Sequence, residues 1–522
     1  MNKLAQLDHR FVWHPFTQMR DWLKREPVVI VAGKGAVLHD IRGREYLDAN
    51  SSIWTNLHGH NHPRINAAIR QQLKKVAHSS ALGLANEPAS ILARELVAAA
   101  NHEIYDIRYT IYESYAKPPR KSQIANRKLE KVFFSDDGST ALEIALKLAY
   151  EFTRRARSAG VSPASRAKVQ PRFLSLAGAY HGDTVGAVSL GHIDLFHKSY
   201  SGLLFKTDQV MSPYCYRCPF NRAKPERADA REYRKCNWEC AGLVEKKFAT
   251  QKRKGNPYAA FVFEPLIQGA AGMIPQPRGW LQRVTEIARN HDALLIADEV
   301  MTGFGRTGQR SAGVPPARRK EKFSLAPGKR DACATLFACQ HEGVQPDFLC
   351  LAKGLTSGYL PMAATLTTQK VFDAFLGEYD EFKTFFHGHS YTANQLGAAA
   401  ALASLEILQG KSSICARQNL EKNLHDELQT LWSLPTVGDI RQVGLIAGIE
   451  LVRDWRTRKP FDLRERAGIR VCEAMARRGV LTRPIGNVIV LVPPYCTMPV
   501  QARKMVRAVF DSIREVFGRR SL

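Results

Sequence analysis

The chain has no apolar run long enough to span a bilayer, which removes the transmembrane class. Its opening, MNKLAQLDHR, lacks the apolar stretch of a secretory signal, so an intracellular, cytoplasmic protein without a membrane partner is expected. Ten cysteines in 522 residues are too few for a disulfide framework. Acidic residues are in short supply, 49 against 75 Lys and Arg, for a net charge of +26. Such an excess can mark nucleic-acid binding, yet no recognition module accompanies it. Three short segments, residues 117–131, 154–172 and 306–330, carry most of it. No nucleic-acid partner is therefore expected.

What is present is a 45% hydrophobic chain, long enough for a large core and more than one domain. Short apolar runs at Val132–Ser135, Phe173–Leu176, Ala260–Phe263, Ala293–Ala297, Phe348–Ala352 and Ala363–Leu366 read as strands buried on both faces. Helical patterns lie between them: Ile65, Ala68, Ile69, Leu73 and Val76 share one helix face, as do Trp280, Leu281, Val284, Ile287 and Ala288. The alternation predicts an α/β architecture. Three stretches, near 103–127, 154–171 and 310–334, interrupt it. Arg157–Lys168 and Arg310–Glu321 match at eight of twelve positions, and their Pro, Gly, Ser and Arg content predicts inserted, disordered surface loops.

Three features carry chemistry. Asp298 ends an apolar strand in ALLIADEV, where an acid points into the ligand crevice of an α/β sheet; taken alone, a helix cap or salt bridge explains it as well. Lys353 ends another strand in FLCLAKGLTSGYLP, with no second charge from Phe348 to Leu360. Desolvation there favours the neutral, nucleophilic amine. Asp136-Asp137-Gly138-Ser139-Thr140 precedes a helix whose first N–H groups and two hydroxyls suit a phosphate; Thr140 and Glu143 also fit a plain capping box. An acid, a lysine and a phosphate turn are together what pyridoxal 5'-phosphate (PLP) needs.

These residues resemble the class III aminotransferases. The likeness runs through WHPFTQM (13–19), SSIWTNLHGHNHP (51–63), FFSDDGSTALEIALKLA (133–149), AYHGDT (179–184), EPLIQGAAGM (264–273), IADEV (296–300), LAKGLTSGYLP (351–361), HGHSYTAN (387–394) and TRPIGN (482–487). It implies PLP-transferase fold type I: a large domain with a mainly parallel central sheet and a small α+β domain built from both chain ends, divided as 1–62, 63–388 and 389–522. It implies that Lys353 bonds to the cofactor, Asp298 pairs with its ring nitrogen and Tyr180 stacks on the ring. Gly138 and Ser139 would hold the phosphate, and Ser390 would reach the cofactor of a second subunit, implying a homodimer. Phe16, Trp54, Tyr180, Lys353 and Arg483 would contact substrate, Arg483 by pairing its planar fork with a carboxylate, with Asp183 and Tyr495 nearby. Some relatives carry Tyr at the Phe16 position and Trp where this chain has Ile53, so the amino-donor contacts differ there. WHPFTQM and the Arg483–Tyr495 tail are more particular to biotin-pathway members, which implies S-adenosylmethionine as amino donor and 8-amino-7-oxononanoate as acceptor. The alternative is another ω-aminotransferase acting on a diamine or ω-amino acid.

Cys215, Cys218, Cys236 and Cys240 remain outside that pattern. Their C-x2-C-x17-C-x3-C spacing is compatible with structural zinc, although reduced thiols and no metal are the simpler expectation.

Overall fold

A computed structural model describes residues 1–101, 127–158, 170–191, 193–309 and 335–518. The insertions expected near 103–127 and 310–334, and the two similar segments within the expected disordered loops, lie almost wholly outside these residues. The described start of the second, Arg154–Arg157, is not loop: it continues the helix Gly138–Ser158, where Arg154 and Arg155 both pair with Glu151.

All six expected strands form one seven-stranded sheet, in the order Leu129–Ser135, Ala363–Thr368, Phe348–Leu351, Leu294–Asp298, Tyr258–Phe263, Arg172–Leu176, Asp208–Val210. The last was not foreseen, because three residues are too few to show a period. Pairing is parallel from Phe348–Leu351 outward to Asp208–Val210, whereas Ala363–Thr368 runs antiparallel to both neighbours. Successive residues of Leu294–Asp298 point to opposite faces. Leu295 and Ala297 join the core beneath helices Glu87–Ala100, Glu239–Arg253 and Trp280–Asn290. Ile296 joins the core beneath helix Gly138–Ser158.

Helix Trp280–Asn290 buries Trp280, Leu281, Val284 and Ala288 as its spacing requires. Helix Pro63–Leu73 behaves differently. Ile65 is fully buried, but Leu73 is exposed, and Val76 is exposed beyond the helix end. Its apolar stripe outlasts the surface available within this chain.

Both chain ends build the smaller part. Ile30–Lys34, Val37–Asp40 and Glu45–Asp48 make an antiparallel meander. The last of these pairs in parallel with Val480–Leu481 from the far end of the chain. A second antiparallel sheet, with Val437–Val443, Ile446–Asp454, Val488–Leu491 and Pro484–Ile485, shares a core with helices Lys411–Leu428, Ala467–Arg477 and Pro499–Phe517. Among the described residues no helix is long and apolar enough to cross a membrane.

Candidate active site

Parallel strands present their carboxyl ends along one edge of the sheet, where α/β proteins bind ligands. Three neighbouring strands deliver Glu264, Asp298 and Lys353 there. The register sets Ala297 beside Phe263 and Asp298 beside Cys350, and strands lie about 4.8 Å apart. All three side chains line a single cavity of about 430 Å³, together with Trp54, Gly138, Ser139, Tyr180, His181, Met301 and Tyr359. The sequence thus places a lysine and two acids in three separate motifs, and the sheet brings them side by side.

Burial sets the electrostatics. Lys353 has its ammonium pKa lowered by desolvation, with Asp298 and Glu264 pulling the other way. The free amine is therefore more available than in solvent. Glu264 is pushed up to about 7 by burial, opposed by His181 and reinforced by Asp298. Its oxygens accept N–H bonds from Gly269 at 2.8 Å and Tyr180 at 3.5 Å. Asp298 is held by His181 Nδ1 at 2.8 Å and by the Val300 N–H at 3.0 Å. His181 is buried, and its Nε2 has no partner among the described residues. The Lys353 amine sits 4.7 Å from the centre of the Trp54 ring. Lys353 itself adopts φ 42°, a left-handed conformation that costs a non-glycine residue about 1–2 kcal/mol.

The helix start differs from the expected capping box. Asp137 is the cap: its Oδ1 accepts the Thr140 N–H at 2.9 Å, and Thr140 Oγ1 accepts the Asp137 N–H at 3.0 Å. Glu143 instead accepts the Gly186 N–H at 2.8 Å, at the next helix. The N–H groups of Gly138 and Ser139 are among the first four that no helix carbonyl can satisfy, and both residues line the cavity. Gly138 is required there by close approach, since a Cβ would meet Val300 Cγ1 at 2.7 Å. Ser139 Oγ accepts the Asp183 N–H at 3.2 Å, and Tyr180 donates to Asp183 Oδ2 at 2.7 Å. Burial raises the Tyr180 phenol pKa, with Asp183 adding to it.

The remaining expected residues lie elsewhere. Phe16 and Arg483 are exposed and touch each other, the Arg483 guanidinium donating to the Phe16 carbonyl at 3.3 Å. An aromatic relay joins them to the cavity, with ring centres 5.2 Å apart from Phe16 to Phe196 and 6.4 Å from Phe196 to Tyr180. Ser390 is exposed and outside the cavity, its carbonyl facing His78. Tyr495 is not part of the cavity lining. It is buried, donates to the Phe304 carbonyl at 2.8 Å and packs under Arg306 and Arg417, so its role is to brace the core. Sequence reasoning passed over His181 and Glu264. Both had a signal: His181 follows Tyr180 directly, and Glu264 ends an apolar strand just as Asp298 does.

The four cysteines of the C-x2-C-x17-C-x3-C pattern lie within electrostatic reach of one another. Among the described residues no three His, Cys, Asp or Glu side chains are placed to hold a metal ion. Cys215, Cys218, Cys236 and Cys240 are free thiols, and Arg234 donates to Cys236 Sγ at 3.0 Å. Burial pushes Cys215 up to about 12 and Cys240 up to about 11, with the neighbouring cysteines adding to both shifts.

The fold and this cavity define a PLP-dependent aminotransferase, and the chain belongs to the class III aminotransferases: the model of that family matches residues 19–316 and 332–513. Along 99% of its length the chain is 44% identical to the adenosylmethionine-8-amino-7-oxononanoate aminotransferase of Geobacter sulfurreducens, covering 98% of that protein. The crystal structure of the protein of that name from Methanocaldococcus jannaschii aligns with TM-score 0.79 at 37% identity, with 98% of each chain covered. A PLP-bound amine transaminase from an uncultivated Pseudomonas species aligns with TM-score 0.77 at 30% identity, covering 97% of this chain and 98% of the other. The cavity suits PLP on its own chemistry: a desolvated lysine, a buried carboxylate and a helix start cleared by glycine surround one space.

Proposed function

We propose that this chain transfers the amino group of S-adenosylmethionine to 8-amino-7-oxononanoate, giving 7,8-diaminononanoate in biotin biosynthesis, as a cytoplasmic homodimer. The observation that carries the reading is the convergence of Lys353 and Asp298 on one cavity, in a chain that matches relatives of that name from end to end. When bound, PLP supplies a ring that withdraws electrons from the substrate carbon. The protein supplies position and protons. The Lys353 amine would carry the proton removed from that carbon to the carbon two atoms away, on the far side of the transferred nitrogen. Asp298, oriented by His181, would keep negative charge against the ring nitrogen. Gly138 and Ser139 would anchor the phosphate, and Tyr180 would cover the ring. Trp54 closes the cavity above the amine and keeps water out. Arg483 beside Phe16, at the outer end of the aromatic relay, suits the carboxylate of the acceptor.

Ser390 would serve the cofactor of a second copy. Its surroundings support that reading: Tyr379, Phe382, Phe386 and Tyr391 are exposed together on one stretch of chain, the kind of surface that a partner covers. The test is a coupled assay with 8-amino-7-oxononanoate as acceptor and S-adenosylmethionine or lysine as donor. Formation of 7,8-diaminononanoate from S-adenosylmethionine is the expected result. Turnover of simple ω-amines without any 7,8-diaminononanoate would instead assign a general ω-aminotransferase. Lys353→Ala should abolish both turnover and the visible absorbance of lysine-bound cofactor; retention of both would overturn the assignment.

A further inference from the structure

Four consecutive residues, Ser51, Ser52, Ile53 and Trp54, have φ of 46°, 48°, 64° and 68°. The N–H groups of Trp54 and Thr55 bond back to the carbonyls of Asn50 and Ser51 at 2.8 and 2.9 Å. The chain therefore makes one turn of left-handed helix without a glycine in it. L-residues visit this region singly rather than in runs, and a β-branched residue such as Ile53 fits it worst. A turn of this kind persists only where its surroundings over-determine it.

Two side chains do so. The buried Asp48 carboxylate accepts the Ser52 N–H at 3.1 Å and the Ser52 hydroxyl at 3.0 Å, with His60 Nε2 at 3.0 Å from the same oxygen as the hydroxyl. The buried Asn50 Oδ1 accepts the Trp54 indole N–H at 2.8 Å. What the turn accomplishes is the placement of one ring. The Trp54 indole lies over the Lys353 amine and against Gly269, where an added Cβ would stand 3.3 Å from Cζ3.

We propose that Asn50 and Asp48 are positioning residues that lock Trp54 as a fixed wall of the amine-substrate pocket. The inference rests on the reading of Lys353 as the reacting amine. A wall fixed before binding spares the substrate the cost of ordering it. It touches the bound amine equally before and during reaction, so its loss weakens binding more than turnover.

The test is Asn50→Leu, which removes the acceptor at similar volume. KM for the donor amine rises about tenfold, with kcat within about twofold. In a Trp54→Phe background, which has no indole N–H, Asn50→Leu changes KM no further. A readout independent of activity uses cofactor-free protein labelled with 5-fluorotryptophan. Of the signals from seven tryptophans, Trp54→Phe deletes and so assigns one, and Asn50→Leu moves that one alone. Should Asn50→Leu fold poorly, Ser52→Val and Ser52→Gly replace it: valine resists the left-handed turn and displaces the Trp54 signal, while glycine accepts the turn and leaves it in place. The proposal is overturned if the Trp54 signal stays fixed in Asn50→Leu, or if that variant still raises KM in the Trp54→Phe background. The fluorine measurement needs no substrate, and KM can be read with whichever of S-adenosylmethionine or lysine the wild type uses. Failure of the biotin-pathway reading is thereby kept apart from failure of this one.

Discussion

Glu264 and Lys353 share a cavity and are shifted by the same cause in the two directions that favour neutrality. Burial holds Glu264 up to about 7 from an ordinary 4.5, and it does the same to Glu299, which also reaches about 7. The folded protein therefore binds more protons than the unfolded chain between these values. Stability from both groups is fully present below 4.5 and is lost as pH rises through about 7. Lys353 acts in the opposite sense, at pH below its ordinary 10.5. The thermal midpoint of the cofactor-free protein is expected to fall between about pH 5 and pH 8, and Glu264→Gln to fall less, since about 1–3 kcal/mol of the dependence disappears with the carboxyl. An unchanged slope in that variant would mean Glu264 is ionised in the fold. Asp298→Asn tests the neighbouring carboxylate. It keeps the shape but removes the charge that His181 holds and that would face the ring nitrogen. We expect kcat to fall by about 100- to 1,000-fold, the usual loss when a preorganised charge is removed, measured with donor saturating.

Among elements, the start of helix Gly138–Ser158 has the least tolerance. Its first residue is pressed by Val300 from the turn after Asp298, so the helix start proposed to hold the phosphate abuts the strand end proposed to face the ring nitrogen. Gly138→Ala should weaken PLP binding at least about tenfold by forcing that contact apart. Adding Val300→Ala should recover most of the loss, because the clash is with the two Val300 methyl groups that this substitution removes. Equilibrium titration of the cofactor-free variants measures both. Failure of the second substitution to rescue would show that Gly138 is needed for backbone conformation and not for space.

At the scale of the whole molecule, a buried ionic cluster ties the C-terminal sheet to the cavity. Arg441 is almost completely buried and donates to Asp439 and Glu450 at 2.7 Å each and to the Gly272 carbonyl at 2.6 Å. Arg217 and Tyr214 close on Glu450 from the cysteine-bearing loop. Gly272 belongs to the EPLIQGAAGM segment that begins at Glu264. Removing Arg441 leaves the buried Asp439 without its ion-pair partner and Glu450 with Arg217 alone. Arg441→Met should therefore cost about 3–5 kcal/mol in unfolding free energy, read by denaturant titration, although Arg441 touches nothing in the cavity. Beyond one chain, Phe386→Glu should shift the protein toward monomer in sedimentation. It should also weaken PLP binding if Ser390 serves a second copy; a monomer with unchanged cofactor affinity would remove Ser390 from the site.

The sequence alone determined the six main strands, the helix Trp280–Asn290 and the proposed reactive pair Lys353 and Asp298. Each is set by neighbours along the chain: an apolar run, a 3.6-residue stripe, a charged residue where a strand stops. Only the tertiary structure decided that Glu264 stands in line with that pair, because this follows from strand order and register. The same holds for the antiparallel course of Ala363–Thr368 and for Tyr495, which its motif placed near the substrate and the fold uses as a core brace. Cys215, Cys218, Cys236 and Cys240 show the same limit: they fall in two pairs well apart along the chain, and only the fold brings the pairs close enough for each to raise the pKa of a thiol in the other. The left-handed turn at Ser51–Trp54 was equally hidden, since nothing in SSIW favours it locally and the bonds that hold it come from Asp48, Asn50 and Val492, as positioned by the folded chain.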